Sequence, residues 1–180
     1  LALLQQRFPE QEFQNHIARI WRDARRLFGR GPFKDHLWFS IQSGGRKSEG
    51  PVFWFELNGM GWNYGVGNWE DAADITAAWR ALIDADPARF EEIVRGIEER
   101  GSYRLYGDMY KRPKADRGER INPWYNRRYL FVESEHDFGG DALSPELPKK
   151  LIAAYEKLMP MYEYLMEVHR GYGESAEEKR

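Results

Sequence analysis

Between Pro51 and Trp69 the chain reads PVFWFELNGMGWNYGVGNW, a β-hairpin pattern with an unusual load of aromatic side chains that the rest of the chain has to fold against. In the first arm, Val52 to Leu57 is apolar or aromatic except for Glu56. Its length and its flanking Pro and Gly suit a strand better than a helix. Alternation then puts Phe53, Phe55 and Leu57 on one face and Val52, Trp54 and Glu56 on the other. After a turn containing Asn58, Gly59 and Gly61, the second arm sets Trp62, Tyr64 and Val66 on one side and Asn63, Gly65, Gly67 and Trp69 on the other. A strand face made largely of glycine is a gap. Either another backbone or a helix lies close against Gly65 and Gly67, or a ligand does, and close packing is the commoner cause. These glycines form no nucleotide fingerprint, because strand-like residues continue beyond them where a Rossmann turn would open a helix.

From Glu10 to Phe28 the apolar positions Phe13, Ile17, Ile20, Trp21, Ala24 and Phe28 fall at helical spacing, although Ile17 to Arg22 also alternates as a strand would. Gly29, Gly31 and Pro32 break that segment, and Leu37 to Ile41 reads as a strand. The loop 43–50 links it to the hairpin, which suggests an antiparallel meander of three strands. Glu70 to Ala85 and Pro87 to Arg100 have helical stripes. Asn68 is placed to cap the first, with Glu70 and Asp71 in its opening turn, and Asp86 followed by Pro87 suits the start of the second. Residues 107–126 make a long polar connection with little periodicity, of the kind that is either functional or disordered. Arg127 to Glu133 reads as the last strand. Ser144 and Pro145 then start a helix through Leu147, Leu151, Ala154, Tyr155 and Leu158, which Pro160 should kink or interrupt before Tyr162 and Leu165 continue its face. The fold class expected is α+β: an antiparallel sheet of about four or five strands covered by helices over 70–100 and 144–168, as a single domain over residues 1–170 with a mobile tail over 171–180.

Composition narrows the function classes. A chain of 180 residues, 42% hydrophobic and 31% charged, can bury one core and not two. The net charge of -2 and pI near 6.2 argue against nucleic acid held by overall charge, and leave local basic patches open. There is no cysteine, which removes thiol catalysis, thiolate metal sites and disulfides, and fits a cytoplasmic protein. No apolar run approaches the roughly 20 residues of a membrane span, so no membrane partner is expected. The N-terminal residues carry no signal-peptide pattern, and a chain beginning with Leu1 leaves open whether its start is trimmed. His16, His36, His136 and His169 are scattered. The cluster Glu133, Glu135, His136 and Asp137 lacks paired-His spacing and reads as a polar strand end. No metal or other cofactor is expected, and whether the protein is an enzyme is left open. Glu56 and Asp108 are acid–base candidates without weight until geometry is known.

Two basic clusters stand out against the mildly acidic whole. The first supplies Arg19, Arg22, Arg25, Arg26, Arg30 and Lys34; the second supplies Lys111, Arg112, Lys114, Arg117, Arg120, Arg127 and Arg128. Guanidinium forks suit carboxylate or phosphate oxygens. If the clusters meet near the glycine face, with Tyr64, Trp62, Trp69, Trp124 or Tyr125 beside them, they would form a pocket for an anionic small molecule such as a nucleotide or phosphorylated metabolite. Arg22, Asp23, Arg25, Lys34, Tyr64, Lys111 and Arg112 are the ligand-binding residues this reading names. The plainer account pairs these cations with Asp23, Asp35, Asp108, Asp116 and Glu119 on a solvated surface. A non-catalytic protein-interaction module is the alternative function, with Trp124 and Tyr125 as exposed aromatics of the long loop.

The runs RIWRDARRLFGRGPFKDH, PVFWFELNGMGWNYGVGNW, YGDMYKRP and LSPELPKKLIAAYEKLMPMYEYL together resemble the bacterial conserved hypothetical proteins grouped as DUF2461. Arg19, Arg22, Asp23 and Arg25 match that family's R-x-x-R-D-x-R segment, and Pro32, Phe33 and Lys34 stand for its P-Y-K. Gly65 and Gly67 match its glycine-rich strand arm; Gly107, Lys111, Arg112 and Pro113 match its G-x-x-x-K-R-x-P element; Pro160 matches its late helical proline. Arg26 and Leu27 depart from the pattern, which has Phe followed by a polar residue there. The resemblance implies a strand-like R-x-x-R-D segment and no established activity, and it makes the two basic clusters coincide with the family's motifs.

Overall fold

Six strands and five helices form in chain order, in a computed structural model that describes residues 1–43, 50–68, 72–101 and 103–177. They are α1 (Ala2–Arg7), β1 (Phe13–Ile17), β2 (His36–Ser43), β3 (Val52–Asn58), β4 (Gly61–Asn68), α2 (Ala73–Ala85), α3 (Pro87–Arg100), β5 (Arg104–Tyr106), α4 (Asn122–Tyr125), β6 (Leu130–Asp137) and α5 (Leu147–Glu177). The strands make one open antiparallel sheet in the order β1-β2-β3-β4-β6-β5. The fold class is thus α+β as expected, with one strand more than the upper estimate. Three residues between two loops are too short for β5 to give a readable period.

The central hairpin forms as its alternation dictates. Phe53 lies opposite Val66, Phe55 opposite Tyr64 and Leu57 opposite Trp62, and the side chain of Asn58 closes the turn by accepting from the backbone N–H groups of Met60 and Gly61. The face carrying Phe53, Phe55 and Val66 takes the helices. Tyr155 and Tyr162 of α5 approach Phe53 at ring distances of 4.8 and 4.6 Å, and the Tyr155 hydroxyl donates to the backbone carbonyl of Trp54 at 2.9 Å. Around α5, Trp79 of α2, Phe90 of α3 and Trp124 of α4 meet Tyr164 or each other edge-on or tilted. Offset and edge contacts of this kind add to the burial of large rings.

On the opposite face no helix packs among the described residues, and the glycine gap is filled from within the sheet. A Cβ built on Gly65 would lie 2.6 Å from the Trp54 indole and 2.0 Å from the carbonyl oxygen of Val132; one on Gly67 would lie 2.3 Å from the Phe131 side chain. Close packing is therefore the reason for both glycines, and the ligand alternative at that gap does not apply. The Trp54 indole N–H donates to Asn63 and its ring stands edge-on to Phe131.

Several expectations change. The helical face expected over Glu10–Phe28 does not form: residues 13–17 are β1, and the chain stays extended beyond it, with Trp21 bridged to Phe33 and a single 3₁₀ turn at Ala24–Arg26. Tertiary pairing to β2 overrides a helical period here. Asn68 does not cap α2; it is the buried last residue of β4, and the helix begins after Ala72 without a side-chain cap. Trp69, Glu70, Asp71 and the loop residues 44–49 lie outside the described residues. Asp86 does cap α3, accepting from the Arg89 N–H at 3.0 Å. Pro160 does not end its helix: α5 runs as one element from Leu147 to Glu177, with Met159, Met161, Tyr162 and Leu165 all buried.

Gly65→Ala is expected to destabilise the domain by about 1–3 kcal/mol, read from chemical denaturation, because the added methyl meets a backbone carbonyl and an indole already held by Asn63. An unchanged midpoint would mean that Trp54 can swing aside freely.

Candidate functional site

The two basic clusters leave the sheet at diagonally opposite corners. The first lies in the excursion between β1 and β2 at one edge; the second lies in and after the connection leaving β5 at the other edge. Six strands at about 4.8 Å spacing separate the two edge strands by roughly 24 Å. One small ligand cannot touch both clusters, so the joint pocket expected from sequence does not form.

The excursion is an arm rather than a loop. The backbone N–H of Ala18 donates to the Trp38 carbonyl, that of Lys34 to Ile20 and that of Arg22 to Pro32, so the β1–β2 ladder continues outward to a tip at Phe28 and Gly29. Both tip residues have positive φ, 46° and 80°. Such a conformation costs of order 1 kcal/mol for a residue with a side chain, and here it holds an aromatic ring 83% exposed. Arg22 is a staple of the arm: its Nε donates to the Phe33 carbonyl at 2.7 Å, an Nη lies 3.3 Å from Asp35, and its side chain is only 15% exposed. Asp23 caps the 3₁₀ turn and pairs with Arg25 at 2.9 Å, which holds its carboxyl below the usual carboxylate range. The Lys34 ammonium has no anionic partner among the described residues, and the side chain of Arg26 lies outside them.

Of the apolar residues at helical spacing, Phe13 is buried in the core, while Ile17, Ile20, Trp21 and Phe28 lie on the exposed surface of the arm. Trp21 and Phe33 lie 4.9 Å apart, ring to ring, at 60% and 51% exposure, with Ile17, Ile20 and Leu37 also exposed around them. The available signal was the Gly29-Arg30-Gly31-Pro32 break, which turns a chain back on itself and leaves its side chains without a second layer.

At the other corner, Lys111 and Arg112 stand in an exposed turn, without anionic partners among the described residues. The long connection behind them is ordered by Asn126, whose side chain accepts from the Lys114 N–H, and by Arg117, whose guanidinium takes Asp84 of α2 at 2.6 Å. Arg120 pairs with Glu91 and Glu98 of α3 rather than with a neighbour in sequence. Arg127 is half-buried, which pulls its pKa down, and an Nη donates to the Gly107 carbonyl. The void beside it measures about 20 Å³, room for one water and too small for a phosphate. Trp124 and Tyr125 are each only 5% exposed, and the Tyr125 hydroxyl donates to Asp84. They belong to the core, so an interaction surface cannot be built on them. Tyr64 belongs to neither cluster: it lies on the helix side, stacked with Trp62 and His136 and edge-on to Tyr103.

The helix-free face carries its own chemistry. Glu56, Glu133 and Glu135 share it with Asn63, and the last of them is held by the Arg104 guanidinium and the Tyr106 hydroxyl, each at 2.9 Å. Burial beside Trp54, with Glu135 and Glu56 adding repulsion, pushes the Glu133 carboxyl up to about 7. On the other face, the Ser134 hydroxyl and His136 Nε2 lie 3.0 Å apart. Ser134 sits mid-strand opposite Tyr64 of β4, where ladder pairing leaves no converging N–H groups for an oxyanion.

The sheet, its one-sided helical layer and the arm define an α+β domain whose β1 edge extends into a basic, aromatic hairpin. A family model described as Conserved hypothetical protein (DUF2461) matches residues 1–164. The chain belongs to that family, as the motifs indicated. No curated protein matches it. No helix is long and apolar enough to cross a membrane among the described residues.

A carboxyl raised when folded is protonated at acid pH in both states and ionises more easily when unfolded, so Glu133 costs nothing below pH 4.5 and opposes folding increasingly up to about pH 7. Glu133→Gln should therefore raise the melting temperature more at pH 8 than at pH 5, by of order 1 kcal/mol in stability after allowing for its half exposure. Equal shifts at both pH values would mean that the carboxyl ionises normally.

Proposed function

We propose that the protein is a non-catalytic binding domain whose β1–β2 arm docks an acidic, partly apolar segment of a protein partner. The observation that carries this reading is the coincidence of charge and exposure on residues 17–37. Six cations against two anions give that segment +4 in a chain of net charge -2, so the remainder carries -6. The same segment exposes six large apolar side chains, among them Trp21, Phe28 and Phe33. Exposed apolar groups rimmed by charge are the composition of a docking surface.

The kind of partner follows from the side chains. Trp21 and Phe33 pack on each other, Ile17, Ile20 and Leu37 are aliphatic, and Phe28 at the tip is a single exposed ring, so the arm offers apolar area without a row of free rings on which successive bases would stack. A convex arm gives a small ligand no enclosure, whereas an extended segment can lie along it. Arg22 and Asp23 then act by holding the arm's shape, and Arg25 and Lys34 by meeting the partner's carboxylates. Lys34, Lys111 and Arg112, which lack anionic partners among the described residues, favour a second reading, in which a nucleotide or phosphorylated metabolite binds one cluster at a time.

Fluorescence anisotropy with a labelled peptide alternating Glu and Phe tests the first reading against the second. Binding should weaken steeply with salt and fall at least tenfold in Trp21→Ser/Phe33→Ser and in Arg25→Glu/Lys34→Glu. A protein that ignores the peptide but is stabilised against heat by nucleotides would overturn the arm reading in favour of the small anion.

A further inference from the structure

Across the sheet from the arm, a cleft of about 710 Å³ opens between α3, β5 and the segment leading into α4. Volumes of this order are typical of small-molecule sites. Its floor is apolar: Ile97, Leu105, Trp124 and Val132 line it, with the half-buried ring of Tyr103 at one side. Its rim is acidic. Glu91, Glu98 and Glu119 stand there against a single cation, Arg120. Arg120 spans two of those carboxylates at 3.2 Å each, with all three groups 42–51% exposed. Ion pairs of that exposure contribute little and exchange readily. Glu119 has no cationic partner among the described residues.

The geometry points to a site for an organic amine with an apolar body. The body would lie on Leu105, Ile97 and Trp124, and the ammonium would meet Glu119 at the mouth, with Glu98 available as Arg120 shifts to Glu91. Charge complementarity sets the sign: three carboxylates against one guanidinium favour a cation and repel a carboxylate of the same shape. The cleft owes nothing to the arm. It borders the opposite edge strand, and none of its lining residues belongs to either set of arm substitutions.

The probe is 4-phenylbutylamine, with 4-phenylbutanol and 4-phenylbutyrate as isosteres of altered charge, titrated into the full chain by calorimetry. The amine should bind at least tenfold more tightly than the carboxylate, with the alcohol between. Glu119→Arg combined with Glu98→Gln, both at exposed positions, should weaken the amine at least tenfold while leaving the melting temperature unchanged. Leu105→Trp, which fills the floor, should weaken all three. An amine that fails to bind at millimolar concentration, binds no better than the carboxylate, or is indifferent to the double substitution would overturn the site.

Discussion

Phe53 and Trp54 are neighbours on one strand, and the molecule is assembled on their pointing to opposite faces. Phe53 lies against Tyr155 and Tyr162 and so fixes α5 to the sheet, while the carbonyl of Trp54 accepts the Tyr155 hydroxyl. Burial pushes the phenol of Tyr155 up, which keeps it protonated and able to donate. On the other side the Trp54 indole covers Gly65, and Phe131 covers Gly67. The hairpin thereby meets rings on both faces, from α5 on one and from its own Trp54 and Phe131 of β6 on the other. The helices occupy one side, and on the other the sheet's own side chains bury Ser40 and Gln42 and half-bury Glu133.

That division explains where chemistry-bearing groups end up. The helix side consumes aromatic surface in the core, including Trp124 and Tyr125. Charges stay on the solvent-facing surfaces, those of the helices included, and the sheet edges hold clusters of different sign apart: a basic arm at β1, a mixed corner beyond β5, and an acidic cleft beside α3. A chain with a small net charge can therefore present surfaces of opposite sign. An account from net charge alone would have missed both, because the two signs nearly cancel in the sum.

Arginine has two physical roles in this fold. Arg22, Arg117 and Arg120 use the planar fork to tie segments distant in sequence, and their charges are spent on a carbonyl or on Asp35, Asp84, Glu91 and Glu98. Lys34, Lys111 and Arg112 tie nothing among the described residues. Motif membership does not distinguish these roles, since Arg22 and Lys34 belong to the same run. Only the location of a carboxylate or carbonyl within 3–4 Å does.

The sequence by itself determined the hairpin, the three-strand meander, the two helices joined at Asp86, the α+β class and the family. Each rests on local periodicity, turn chemistry or motif, which a chain carries without knowing its neighbours. Tertiary structure decided the rest. Residues 13–28 have a helical period, yet residues 13–17 pair with β2 and residues 20–22 with 32–34, because edge hydrogen bonds to a neighbouring strand outweigh a weak intrinsic preference. The glycine face was legible as a gap, but its filling by Trp54 depends on a side chain across the register. The basic clusters were legible as composition, but their separation follows from strand order, which places β1 and β5 at opposite edges. Strand order is a property of non-local contacts, and no local pattern encodes it.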